Sequence, residues 1–235
     1  MPILSALFAA QALVPEHTVH LALGTAMASI IFTSSASVRA HHGRGAVDWG
    51  IVRRLAPAMA LGALLATFAS GFIPQRALAL AFAAIVCAGA LQMLFGGRPS
   101  ATRGLPGTPG MLGVGAAIGV TCGLVSAGGA FLTVPFMLHC RVPVLTAIGT
   151  AAAVGIPVAL VGSAGFVAGG WGVAGLPDGA LGFVYLPALA ALVLGSIATA
   201  PLGARLAHRL PLTTLRRIFA LLLFLLATKM VLAYL

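Results

Sequence analysis

Residues 144–167 run without one charged side chain, and residues 77–95 and 181–200 do the same. Each stretch is close to the roughly 20 residues that an α-helix needs to cross a hydrocarbon core about 30 Å thick. A chain dominated by such stretches folds with lipid as its main solvent. With 60% hydrophobic and 7% charged residues, too few polar side chains remain to give each helix a wet face. A transmembrane β-barrel is excluded as well, because it needs short segments in which apolar and polar residues alternate. The expected fold is an all-α polytopic membrane protein.

The net charge of +10 would point to nucleic acid in a soluble chain, so the placement of the charges decides. Arg39, Arg44, Arg53 and Arg54 fall in one hydrophilic stretch, Arg98 and Arg103 in a second, and Arg205, Arg209, Arg216 and Arg217 in a third. Short basic loops face the cytoplasm. Residues 39–54, 96–110 and 203–217 are therefore expected on the cytoplasmic side of an inner or plasma membrane, with no nucleic-acid partner. The opposite connections, around residues 74–76 and 169–182, hold only Arg76 and Asp178 between them. Residues 1–12 share an apolar run with secretory signals but lack a basic leading segment, and are read as structural.

Threading the chain through these loops gives crossings at residues 19–38, 55–72, 77–95, 144–167, 181–200 and 218–235. The Pro- and Gly-rich residues 96–110 form a cytoplasmic linker between a first unit, residues 1–95, and a second, residues 111–235. In the second unit, Gly115, Gly119 and Gly123 recur every fourth residue and share a helix face that admits close packing. That helix meets Gly128-Gly129 and a stretch, residues 130–138, too short to span. With Pro135 inside it and His139-Cys140-Arg141 at its end, a re-entrant helical hairpin is expected there. The architecture is about six full transmembrane helices plus this hairpin.

The two units echo each other. Val14-Pro15 and Leu23-Gly24-Thr25-Ala26 are matched by Val142-Pro143 and Ile148-Gly149-Thr150-Ala151. Leu61-Gly62-Ala63 is matched by Leu194-Gly195-Ser196, and Ile73-Pro74 by Leu210-Pro211, in the same order. The loop after the first Gly-Thr-Ala helix is strongly basic, whereas the loop after the second has no Lys or Arg. The two repeats are therefore expected to be inverted, an arrangement in which transporters hold substrate near the midplane between interrupted helices.

The Gly128-Gly129 break is the strongest candidate site, because a helix starting near Ala130 aims unpaired backbone N–H groups into the membrane interior. Ser126 and Thr133 offer hydroxyls beside it, and Pro135 frees a further carbonyl in the short helix. Gly24-Thr25 and Gly149-Thr150 are expected to face the same region from the repeat-related helices. Cys122, within two turns of the break, could meet a sulfur-containing substrate. The same Gly, Ser and Thr residues also serve plain close packing, and a buried free cysteine also serves as a small apolar filler.

No catalytic constellation or cofactor is expected. Glu16, Asp48 and Asp178 are the three acidic residues, and none falls inside a crossing. That removes support for carboxylate-based proton coupling, for cation transport and for paired-carboxylate catalysis. No metal site is expected either: His41 and His42 are adjacent and sit among arginines, and His17 and His20 have only Glu16 nearby. Cys87, Cys122 and Cys140 show neither a C-x-x-C spacing nor a disulfide framework.

The chain resembles the TauE/SafE family of sulfite exporters. The resemblance rests on Leu23-Gly24-Thr25-Ala26 with Phe32-Thr33-Ser34, on Arg39-Ala40-His41-His42 through Gly45-Ala46-Val47-Asp48-Trp49, and on residues 123–135, a Gly-rich hairpin ending in Val-Pro. It covers essentially the whole chain. It implies two related halves and secondary transport of sulfur-containing anions such as sulfite or an organosulfonate. Family members usually open their first half with a Gly-rich hairpin, and Met1-Pro2 here stands where its closing Val-Pro is expected. An anion channel, or a membrane scaffold whose small-residue faces dock other helices, are the alternatives, with homo-oligomerisation left open.

Overall fold

The computed structural model describes residues 4–5, 7–8, 16–95, 104–126, 129–209 and 212–234. Their helices are α1 (Thr18–His42), α2 (Trp49–Ser70), α3 (Gln75–Phe95), α4 (Thr108–Val125), α5 (Ala130–His139), α6 (Val144–Gly169), α7 (Leu186–Arg209) and α8 (Leu212–Tyr234). Among the described residues, α1, α2, α4 and α6 are long and apolar enough to cross a membrane, and residues 75–91, 186–199 and 220–232 are shorter apolar helical stretches. The chain is a multi-pass α-helical membrane protein. Its outer surface is apolar where lipid would lie: Leu61, Leu65, Phe68 and Phe72 stand exposed along or just past α2, and Leu194 and Ile197 along α7.

Two differences from the sequence expectation have local causes. Helix α4 begins at Thr108, inside the expected linker 96–110, because Pro109 sits in its first turn, where a missing N–H costs nothing. At 18 residues it is about 27 Å long, close to a full hydrocarbon core. The stretch expected to cross from residue 181 instead starts as a two-stranded antiparallel hairpin, Ala180–Leu181 (β1) with Val184–Tyr185 (β2), and becomes helical only at Leu186. Strands of two residues are too short to show any alternation in sequence. The remainder of the linker, residues 96–103, lies outside the described residues.

Helix α2 is the centre of the bundle, packed between α4 and α6. It starts where Asp48 caps it: one carboxylate oxygen accepts the N–H groups of Gly50 at 2.8 Å and Ile51 at 3.1 Å. Between helices in lipid there is little hydrophobic driving force, so close backbone approach has to supply the cohesion. The glycine stripe provides it. Gly115 lies on Leu55, Gly119 on Met59 and Gly123 on Ala63, so α2 and α4 run parallel with their residue numbers rising together. Along α1 and α6 the order is opposite: Gly24 meets Phe166, Met27 meets Gly162, and His41 meets Gly149. These two helices are antiparallel.

Candidate functional site

The interruption between α4 and α5 is built by two residues in left-handed backbone regions. Ser126 closes α4 at φ 49°, ψ 42°, and Gly129 opens α5 at φ 62°, ψ −41°. Gly128 lies outside the described residues. The Gly129 conformation is rarely open to a residue with a Cβ, which is why glycine stands there. At 10 residues α5 is about 15 Å long, half a hydrocarbon core, so it cannot cross.

The carbonyl of Gly129 accepts the N–H groups of Leu132 at 3.2 Å and Thr133 at 2.9 Å. No side chain caps the start of α5. The amides at positions 130 and 131 precede any helical acceptor, and are the donors that a helix N-terminus offers to an anion. Thr133 is buried and donates its hydroxyl hydrogen to Gly129 O at 2.6 Å, with Met59 Sδ 3.9 Å away. Its hydrogen is therefore engaged in closing the turn. Ser126 differs: it is 7% exposed, and its hydroxyl has no hydrogen-bond partner among the described residues. A buried hydroxyl left without a partner costs about 1–3 kcal/mol, unless something outside the chain supplies one.

Depth follows from the neighbours. Met59 stands half-way along α2 (Trp49–Ser70), its methyl 3.4 Å from where a Cβ on Gly129 would lie. The break is thus at mid-bundle. Cys122 is buried, with its thiol against the Gly129 backbone. Pro135 lies inside α5 and leaves the carbonyl four residues earlier without a helical donor. Beyond α5, burial pushes the Cys140 thiol above its ordinary pKa.

Gly24, Thr25, Gly149 and Thr150 make two matching contacts. Thr25 Oγ1 donates to Leu21 O at 2.7 Å and accepts the Tyr185 N–H at 3.0 Å, while a Cβ on Gly24 would run into Phe183 O. Thr150 Oγ1 accepts the Asp48 N–H at 2.9 Å, while a Cβ on Gly149 would run into Ala46 O. In each case the glycine admits the carbonyl of a loop residue, and the threonine holds the N–H two residues further on. Both hydroxyls are buried and engaged with main chain in this conformation. The loop partners Asp48, Phe183 and Tyr185 were not legible as a set, since the only sequence signal was the repeated Gly-Thr itself.

His20 caps the other end of α2: its Nε2 donates to Ser70 O at 2.9 Å and Ile73 O at 3.1 Å. Its ring lies 5.0 Å from that of Phe183. Among the described residues, no group of three His, Cys, Asp or Glu side chains is arranged to hold a metal ion.

A multi-pass helical bundle, broken at half depth by a glycine-made interruption with no side chain capping the start of α5, has the form of a membrane protein with interrupted helices. The profile described as "Sulfite exporter TauE/SafE" matches residues 1–230, and the chain belongs to that family. A protein of Haemophilus influenzae named "Probable membrane transporter protein" is 32% identical over 211 residues, covering 89% of this chain and 80% of that one. No solved structure matches.

Proposed function

We propose that the chain is a secondary transporter of a small sulfur-containing anion, such as sulfite, an organosulfonate or a related oxyanion, in a bacterial inner membrane. The observations that carry this reading are the mid-bundle start of α5, uncapped by any side chain, and the buried Ser126 hydroxyl at the end of α4, which has no hydrogen-bond partner among the described residues. The substrate is held there by Ser126, Gly128 and Gly129, with Cys122, Thr133 and Pro135 shaping the surroundings. A divided or protonatable site is not needed, because an anion is met by backbone dipoles and hydroxyls rather than by fixed charge. Family membership and the named relative support transport over catalysis.

The same reading takes the chain as two inverted repeats, residues 1–95 and 111–235, with six crossings and the α4–α5 hairpin. The antiparallel α1 and α6, and the matching Gly-Thr contacts at their starts, are what such a relation requires. Basic residues 39–54, 96–110 and 203–217 then face the cytoplasm.

Reconstitution tests the proposal directly. Proteoliposomes should show saturable uptake of radiolabelled sulfite that competing sulfonates or oxyanions reduce. Absence of saturable flux for every oxyanion and sulfonate tried would overturn it.

A further inference from the structure

The two Gly-Thr contacts do more than join helices. Asp48 immediately precedes α2 (Trp49–Ser70), and Tyr185 immediately precedes α7 (Leu186–Arg209). Each threonine therefore holds the entrance of a helix that belongs to the other half of the chain. Thr150, near the start of α6, holds the start of α2; Thr25, near the start of α1, holds the start of α7. Because α1 and α6 are antiparallel, the two contacts lie at opposite ends of the bundle.

Their construction suits reversible closure. Between hydroxyl and amide there is a single neutral hydrogen bond in each, which biases a two-state equilibrium only about three- to tenfold. Around it, the fit is close: the carbonyls of Phe183 and Ala46 rest where a Cβ would stand on Gly24 and Gly149. Such a loop is either seated or out. Both loops also carry residues with positive φ, Gly45 at 67° on one side and Gly179 at 84° and Gly182 at 54° on the other. The Asp48 contact is connected to the break through α2, which carries Met59 against Gly129 and Thr133.

We propose that Thr25 and Thr150 are gate-positioning residues, each latching one end of the transport pathway, so that release of one latch opens the break toward that side alone. This rests on the reading of the chain as a carrier, but not on the identity of its substrate. The bond at Thr25 closes the Tyr185 side, and the bond at Thr150 closes the Asp48 side. A purely structural role would have both bonds made in every state.

The native thiol of Cys122 reports on the break, once Cys87 and Cys140 are replaced by Ala. Vesicles of both orientations are treated with a membrane-impermeant methanethiosulfonate. Thr25→Val should raise the Cys122 labelling rate about three- to tenfold from the Tyr185 side, and Thr150→Val by a similar factor from the Asp48 side. Thr25→Ser and Thr150→Ser, which keep the hydroxyl, should label like the parent. Labelling that rises from the same side for both valine variants, or for neither, overturns the proposal. If either valine variant fails to fold, hydrogen exchange of the wild-type protein in nanodiscs decides. The amides of residues 43–48 and 179–185 should then exchange faster than those of the flanking helices, and equal protection would reject the latches. Opposite-sided labelling without sulfite flux would leave the latches standing and remove the substrate assignment.

Discussion

Gly119 lies directly on the backbone of Met59, close enough that a Cβ on the glycine would overlap the Met59 main chain. That contact fixes the distance between α4 and α2, and with it the width of the gap that Met59 faces. Gly119→Ala should lower the melting temperature of the purified protein, by a destabilisation of about 1–3 kcal/mol typical of overpacking. Gly113, on the same helix with nothing within 4 Å of an added Cβ, is the control. Gly113→Ala should be neutral or stabilising by up to about 1 kcal/mol, from helix propensity alone. Equal effects at the two positions would contradict the packing account.

Ser126→Ala should separate stability from function. Removing a buried hydroxyl that has no partner among the described residues should leave the melting temperature unchanged or raise it, by about 1 kcal/mol of stability. Thermal stabilisation of the variant by sulfite should fall below that of the parent. A loss of stability without any change in the sulfite effect would show that Ser126 is a packing residue.

At Gly129 the backbone itself is the constraint. Its φ of 62° makes any L side chain costly by about 1–3 kcal/mol, and a larger one must also displace the Met59 methyl. Gly129→Leu should abolish transport while the protein still inserts in the membrane, as judged by fractionation and monodisperse gel filtration. Transport at the parental rate would reject the break as the site.

Asp48 has two tasks that mutation can pull apart. Its carboxylate caps α2, whereas its backbone N–H meets Thr150. Asp48→Ala should cost about 0.5–2 kcal/mol in thermal unfolding, and Asp48→Asn, which still caps, much less. Comparable losses for both would mean that the charge, not the cap, matters.

The helices were readable because lipid selects them by a simple rule: residues 144–167 have no charge, and Val144–Gly169 is the resulting helix. Gly115, Gly119 and Gly123 were equally open to reading, since a four-residue spacing places them on one face whatever their partner is. The glycine break was visible too, although its Ser126 partner in αL was not, because serine carries no strong left-handed signal. Gly24-Thr25 and Gly149-Thr150 were legible as a matching pair of motifs, but the main-chain partners that the structure gives them were not. Their bonds join residues 160 and 102 positions apart, and a backbone N–H leaves no trace in residue identity. The β1–β2 hairpin was hidden for a similar reason, being held by backbone turns rather than by a pattern of side chains.

The reciprocity of these bonds has a consequence for how the protein is made. The notch at Gly24 and Thr25 is filled by a residue 160 positions downstream, so α1 enters the membrane with its acceptor empty. At 5–20 residues per second, roughly ten to thirty seconds of synthesis pass before Tyr185 exists to occupy it. The start of α1 therefore reaches its finished contacts only once the second half of the chain has been made.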